Sequence, residues 1–161
     1  MNINQEIAEF LSTNRINYRR YQHKPIFTVE DGLEIASELG IEPCKTLFLV
    51  NRQKQPYMLL VPGDKKVSLS DFARQAGSSR LSFASPDELA SYLHSSAGAV
   101  SPLGLVFDKC HKIKLYIDRD ITAKDFIALH PCVNNESFVF ETALFLNSFL
   151  PAAGHSDYTL F

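Results

Sequence analysis

A chain of 161 residues has room for one domain with a real core, and its 45% hydrophobic and 21% charged residues exclude a wholly disordered polymer. A formal net charge of -2 excludes a protein that grips a long stretch of nucleic acid by its phosphates, but it leaves room for a small footprint of a few lysines. Three widely spaced cysteines, Cys44, Cys110 and Cys132, do not form a disulfide framework and point to a reducing compartment, the cytoplasm.

The elements are short and mixed. Met1 to Leu11 is polar and acidic, unlike a secretory signal, and no apolar run approaches a membrane span. Ile3, Ile7, Phe10 and Leu11 recur at helical spacing, so residues 3–13 read as an amphipathic helix, followed by a strand over 16–21. Thr28, with Glu30 and Asp31 behind it, caps a helix that runs to Leu39 and stops at Gly40. Residues 44–50 and 56–61 read as a hairpin around a polar turn, ended by Pro62-Gly63-Asp64. Ser70 is read as the cap of a short helix through Gln75, and residues 81–84 as a strand.

The clearest start signal is Ser85-Pro86 with Glu88, a capping box ahead of a helix carrying Leu89, Tyr92 and Leu93. A loop follows from Gly98 to Gly104. Strands are expected at 104–108, 112–118 and 126–129, and a last helix from Thr142 to Leu150. There are no repeats and no linkers, so residues 1–161 are expected to form a single domain of the α+β class with a mixed sheet. No Gly-rich dinucleotide loop and no P-loop is present, and no cofactor is expected.

Three places hold candidate chemistry. Lys45 sits at the start of an apolar strand, where it either snorkels to water or faces an anionic partner. The Gly98 to Gly104 loop, with Pro102 inside, either only shapes a turn or offers backbone N–H groups to an oxygen. His130 precedes Pro131 at a strand end and is either structural or an acid, base or donor. The pairs Cys110-His111 and His130/Cys132 lack the spacing of a tetrahedral metal site, and no metal is expected. Cys44 and Cys132 lie in apolar surroundings that quiet a thiol.

In order along the chain stand Tyr21-Gln-His-Lys-Pro-Ile-Phe-Thr28, Cys44-Lys-Thr-Leu-Phe-Leu49 and Leu60-Val-Pro-Gly-Asp64. Then come Arg80-Leu-Ser-Phe-Ala-Ser-Pro86, Gly98-Ala-Val-Ser-Pro-Leu-Gly104 and His130-Pro-Cys-Val-Asn134. Together they resemble the bacterial prolyl-tRNA editing proteins, stand-alone relatives of the editing domain inserted in bacterial prolyl-tRNA synthetase. The wider group includes a cysteinyl-tRNA(Pro) deacylase. The resemblance implies a mixed, curved sheet with flanking helices and one cleft. It also implies deacylation of a tRNA carrying the wrong small amino acid, commonly alanine on tRNA(Pro).

By the same resemblance the family's key lysine falls on Lys45, its Gly-x-x-x-Pro loop on Gly98 to Pro102, and its His-Pro histidine on His130. Lys45, Gly98, Ser101 and His130 are thus the expected catalytic set. Ile26, Phe27, Thr46, Leu47, Ala99, Val100 and Pro102 are the expected substrate walls. The partners implied are the acceptor end of aminoacyl-tRNA, of tRNA(Pro) first, and prolyl-tRNA synthetase. A binding module that kept the cleft without catalysis is the competing reading. Arg19, Arg20, Lys24, Lys65 and Lys66 either track the acceptor end or form an ordinary solvated face.

Overall fold

The computed structural model describes residues 1–161. The chain runs through α1 (Ile3–Thr13), β1 (Arg19–Gln22), α2 (Val29–Leu39), β2 (Cys44–Val50), β3 (Pro56–Pro62), α3 (Leu69–Ala76), β4 (Ser82–Phe83) and α4 (Pro86–Leu93). Two 3-10 turns, Ala97–Ala99 and Pro102–Phe107, lead to β5 (Lys114–Ile117), α5 (Arg119–Thr122), β6 (Phe126–Leu129) and β7 (Glu136–Glu141). The C-terminal stretch is α6 (Thr142–Leu144), a π turn at Phe145–Phe149, α7 (Leu150–Ala152) and β8 (Thr159–Leu160). No helix is long and apolar enough to cross a membrane.

The α+β class holds, with the strands divided between two sheets. One is three-stranded and antiparallel in the order β1-β7-β6. The other is five-stranded and mixed, in the order β4-β2-β3-β5-β8. The expected hairpin is present, with β2 and β3 antiparallel and Lys45 opposite Val61. Strand β5 joins parallel to β3, which makes the sheet mixed.

Strand alternation explains the layers. Phe48, Met58 and Leu60 on one face of the larger sheet meet Ile127, Leu129, Phe138 and Phe140 of the smaller one, with Ile7 and Leu11 of α1 closing this core. The opposite face of the larger sheet packs Leu49, Leu59 and Val61 against Phe72 and Ala73 of α3. Strand β3 is therefore buried on both faces, and its sequence is an unbroken apolar run rather than an alternation.

Several elements differ from expectation. Residues 102–107 coil into a 3-10 helix where a strand was expected at 104–108. Ser101 Oγ accepts the Leu103 N–H at 3.2 Å and Pro102 stands at the first helical position, so the cap decides what a short apolar run leaves open. The α3 cap is Ser68 rather than Ser70, since Ser68 Oγ accepts from Asp71 N–H. Helical structure continues through Pro151 because the π turn and α7 tolerate it near their start. Strand β7, unannounced by the sequence, is the centre of the smaller sheet.

The α4 cap is the one the sequence marks. Ser85 accepts from Glu88 N–H at 3.1 Å, and Glu88 accepts from Ser85 N–H at 3.0 Å. Leu93 of this helix packs against the following loop, where a Cβ on Gly104 would stand 3.2 Å from both Leu93 and Cys132. Ser85→Ala should lower stability by about 1 kcal/mol, read by urea or thermal unfolding. An unchanged midpoint would show that the cap does not hold this helix.

Candidate active site

One cleft of about 440 Å³ lies where the two sheets approach each other. Its volume falls within the ~300–1,000 Å³ range of small-molecule sites. Helix α2 roofs it with Gly32, Ile35 and Ala36, and the start of β2 forms one wall with Cys44, Lys45 and Thr46. The loop residues Ala97, Gly98, Val100 and Ser101 form another, and Ala128, His130 and Ser137 of the smaller sheet complete it. The two sheets are joined here by the Cys44 thiol, which donates to the Ala128 carbonyl at 3.5 Å. Gly63 N–H donates to the Pro43 carbonyl at 2.8 Å, an approach so close that a Cβ at Gly63 would stand 3.1 Å from the same oxygen.

The loop opposite Lys45 is fixed from behind. Ser95 Oγ donates to the Ala99 carbonyl at 2.9 Å, and Gly104 N–H donates to the Ser101 carbonyl at 3.0 Å. The N–H groups of Gly98, Val100 and Ser101 donate to no protein acceptor. Ser101 is only 1% exposed, so an unclaimed amide there is costly unless a ligand oxygen takes it. A Cβ at Gly98 would meet nothing within 4 Å, so the protein itself leaves open space on that side.

His130 is held by its Nδ1, which donates to the Glu136 carbonyl at 3.1 Å and leaves Nε2 without a protein partner. Burial lowers its pKa below the ordinary histidine value; the neighbouring His23 lowers it further, and the bond to Glu136 opposes both. His23 stands with its ring centroid 6.4 Å from that of His130. Its Nδ1 donates to the Lys24 carbonyl at 2.8 Å, so its Nε2 accepts from Ser137 Oγ at 2.9 Å. Burial pushes the Cys44 thiol up to about 11 and the Cys132 thiol to about 12, which makes both poor nucleophiles.

The wall contains no Asp and no Glu, and Lys45 is its one lysine or arginine. Lys45 takes part in none of the ion pairs of the fold. A cavity with one unpaired cation, no acid and free amides opposes positive charge and favours an anionic or developing-oxyanion ligand. No group of three or more His, Cys, Asp or Glu side chains is placed to hold a metal ion.

Of the expected residues, Lys45, Gly98, Ser101 and His130 share this cleft, with Ile26, Phe27, Thr46 and Val100. Leu47, Ala99 and Pro102 do not line it. Leu47 is on the same side of β2 as Lys45 but two residues further in, where the second core covers it. Ala99 and Pro102 are buried behind the loop and hold its shape. The Ser101 hydroxyl is engaged as a helix cap, so its contribution to the cleft is its amide. The basic residues are also mostly spoken for: Arg20 pairs with Glu136, Lys24 with Glu34 and Lys65 with Asp118. His23 and Ser137 were not anticipated: His23 lies just past the end of β1, and Ser137 belongs to a strand the sequence does not announce.

The sequence profile of the aminoacyl-tRNA editing domain matches residues 23–147, which spans α2, the lysine strand, the Gly98 loop and His130. The chain belongs to the aminoacyl-tRNA editing domain family. It is 32% identical over 140 residues to the prolyl-tRNA editing protein ProX of Acetoanaerobium sticklandii, covering 86% of this chain and 85% of that one. It is 27% identical over 162 residues to prolyl-tRNA synthetase associated domain-containing protein 1 of Danio rerio, covering 99% and 88% of the two chains. The fold matches a crystal structure described as a candidate trans-editing enzyme for prolyl tRNA synthetase, with TM-score 0.76, 18% identity and coverage of 100% and 96%. Proteins of this editing family are aminoacyl-tRNA deacylases, hydrolases of the ester that joins amino acid to tRNA.

Because protonation would place charge in a desolvated site, His130 stays neutral to lower pH than a free histidine. An NMR titration of its ring should give a midpoint below 6.5. A midpoint at or above that value would contradict the burial described. The unfolded chain binds the proton that the folded ring refuses, so this group's contribution to stability is present above the unfolded value and is lost as pH falls toward the folded one.

Proposed function

We propose that this protein hydrolyses the ester of mischarged aminoacyl-tRNA, with alanyl-tRNA(Pro) as the leading substrate and free amino acid and tRNA as products. One observation supports this above others. Lys45 is unpaired on an acid-free wall and shares its cleft with the unclaimed amides of Gly98, Val100 and Ser101. Such a site stabilises negative charge that appears during reaction.

In this reading the ester carbonyl oxygen rests against the loop amides. Water attacks the carbonyl carbon, and the C=O electron pair moves onto that oxygen. The tetrahedral oxyanion then collapses, the bond to the ribose oxygen breaks, and that oxygen takes up the proton that the attacking water gave up. Lys45 pairs with the terminal phosphate or with the developing charge. Neutral His130 offers the Nε2 lone pair as an acceptor for the attacking water, and the free ribose hydroxyl beside the ester completes its orientation. An ester is already activated, so no carboxylate base is required.

Selection is by size. Ile26, Thr46 and Val100 narrow the cleft and Phe27 stands at its mouth, 80% exposed. An added methylene changes binding by only about 1–3 kcal/mol, so discrimination against the larger prolyl group depends on wall contact. We place this activity in the cytoplasm, on residues 1–161 acting as one domain, alongside prolyl-tRNA synthetase.

The test is single-turnover deacylation of tRNA(Pro) charged with alanine, serine, cysteine or proline. Alanine should be released fastest and proline spared; equal release of proline would overturn the substrate assignment. Binding without any release would favour the non-catalytic module. Lys45→Ala should remain folded and lose about 100-fold or more in kcat/KM. Gly98→Ala should fold normally, given the open space around it, yet lose activity by filling the substrate's side. Full activity in either variant would remove that residue from the site.

A further inference from the structure

One face of the smaller sheet lies in the core; the other is covered at its centre, where Ser137 and Val139 are buried, and open at its margins, at Arg19, Tyr21, Phe126 and Glu141. Alternation puts Arg19 and Tyr21 of β1 on the outer face, with Ser137, Val139 and Glu141 of β7 and Phe126 and Ala128 of β6; His23 and His130 follow the ends of β1 and β6. Arg19, Val139 and Ala128 stand in one row across the three strands, and Glu141 stands beside Phe126. Ala128, His130 and Ser137 belong to the cleft already described. A second concavity of about 350 Å³ is lined by Asn17, Arg19, Phe126, Val139 and Glu141. Because Val139 is the register partner of Ala128, the second site begins where the first ends.

The chemistry of the second site differs from that of the first. Arg19 has no carboxylate partner, and its guanidinium lies 5.8 Å from the centroid of the Phe126 ring. Phe126 is 40% exposed and Tyr21, on the same face, 36%. Glu141 is exposed, and its side chain accepts no hydrogen bond, although it stands at the cap of α6. Aromatic faces are platforms for nucleobases, an unpaired guanidinium suits a backbone phosphate, and a free carboxylate accepts from the exocyclic amine of cytosine. Every tRNA ends in cytidine-cytidine-adenosine, and the cleft takes the adenosine end.

We propose that this outer face of the smaller sheet seats the cytidine that precedes the terminal adenosine, with Glu141 reading its exocyclic amine, Phe126 stacking on its base and Arg19 holding its phosphate. The inference rests on the editing function proposed above and extends it along the same strand of RNA. Adjacent strands are ~4.8 Å apart, so the row from Ala128 to Arg19 spans only ~10 Å, within reach of the next nucleotide of an extended single strand. Stacking and one cation here take the place of a basic patch in holding the strand.

The test is binding of fluorescent, uncharged tRNA(Pro) to the intact protein, read by anisotropy, with the penultimate cytidine kept or changed to uridine. Uridine lacks the amine, so the wild type should bind the changed tRNA about tenfold more weakly. In Glu141→Gln, whose amide can serve either base, the difference should vanish. Phe126→Ala should weaken both tRNAs, and Arg19→Ala should reduce the salt dependence by roughly one phosphate contact. All these side chains are exposed, so the variants should fold. Equal binding of both tRNAs by the wild type, or no binding of either, would overturn the proposal. Deacylation of alanyl-tRNA(Pro), measured in parallel, separates the two claims. Activity without cytidine discrimination removes the second site alone, and discrimination without activity removes the proposed reaction alone.

Discussion

A buried carboxylate organises the part of the fold on which the cleft depends. Glu136 opens β7 and is only 3% exposed. Its oxygens accept from Arg20 Nε at 2.8 Å, Arg20 Nη2 at 2.5 Å, Gln22 at 3.3 Å and Asn4 at 3.0 Å. Burial alone would raise its pKa, but these donors outweigh it and hold the group below the usual glutamate value. A single side chain thus ties the first helix, the first strand and the central strand of the smaller sheet. The same residue's carbonyl accepts from His130. The cleft histidine is therefore oriented by the backbone of the same residue whose carboxylate fixes the sheet, and the cost of burying a charge is met by complete hydrogen bonding.

The cleft inverts that logic. There the protein places a cation without an ion-pair partner and amides without acceptors, and no acid lines the wall. Such an arrangement is poorly satisfied in the free protein, which is what a site complementary to a charged transition state requires. The loop is rigid from behind through Ser95, Ser101 and Gly104, so its donors do not need to reorganise when charge appears. Burial silences the thiols nearby.

Much of this could be read from the sequence where the signal was local. The helix from Thr28 was marked by its cap and stopped by Gly40, which adopts a left-handed φ of 66°. The α4 capping box and the apolar hairpin were equally plain. What failed was non-local. Strand β7 escaped notice because its two faces are both covered, so Ser137 and Val139 alternate with Phe138 and Phe140 without a clear polar-apolar pattern. The run after Pro102 was apolar enough for a strand, and only the Ser101 cap turned it into a helix. For the site, motif order brought Lys45, Gly98 and His130 together before any coordinates did. It did not reveal that Leu47 lies too deep along β2, or that Ala99 and Pro102 sit behind the loop, because depth along a strand and the back of a turn are tertiary properties. Nor did it reveal the His23–Ser137 bond, made across paired strands more than a hundred positions apart.

The central claim is that the amides of Gly98, Val100 and Ser101 receive the acyl oxygen of the substrate. The direct measurement is an amide ¹H–¹⁵N spectrum of the protein titrated with a non-hydrolysable analogue, alanine joined by an amide to the 3′ position of adenosine monophosphate. Saturable downfield shifts confined to those three amides and the His130 ring are the expected result. Saturable binding that leaves these amides unmoved would contradict it.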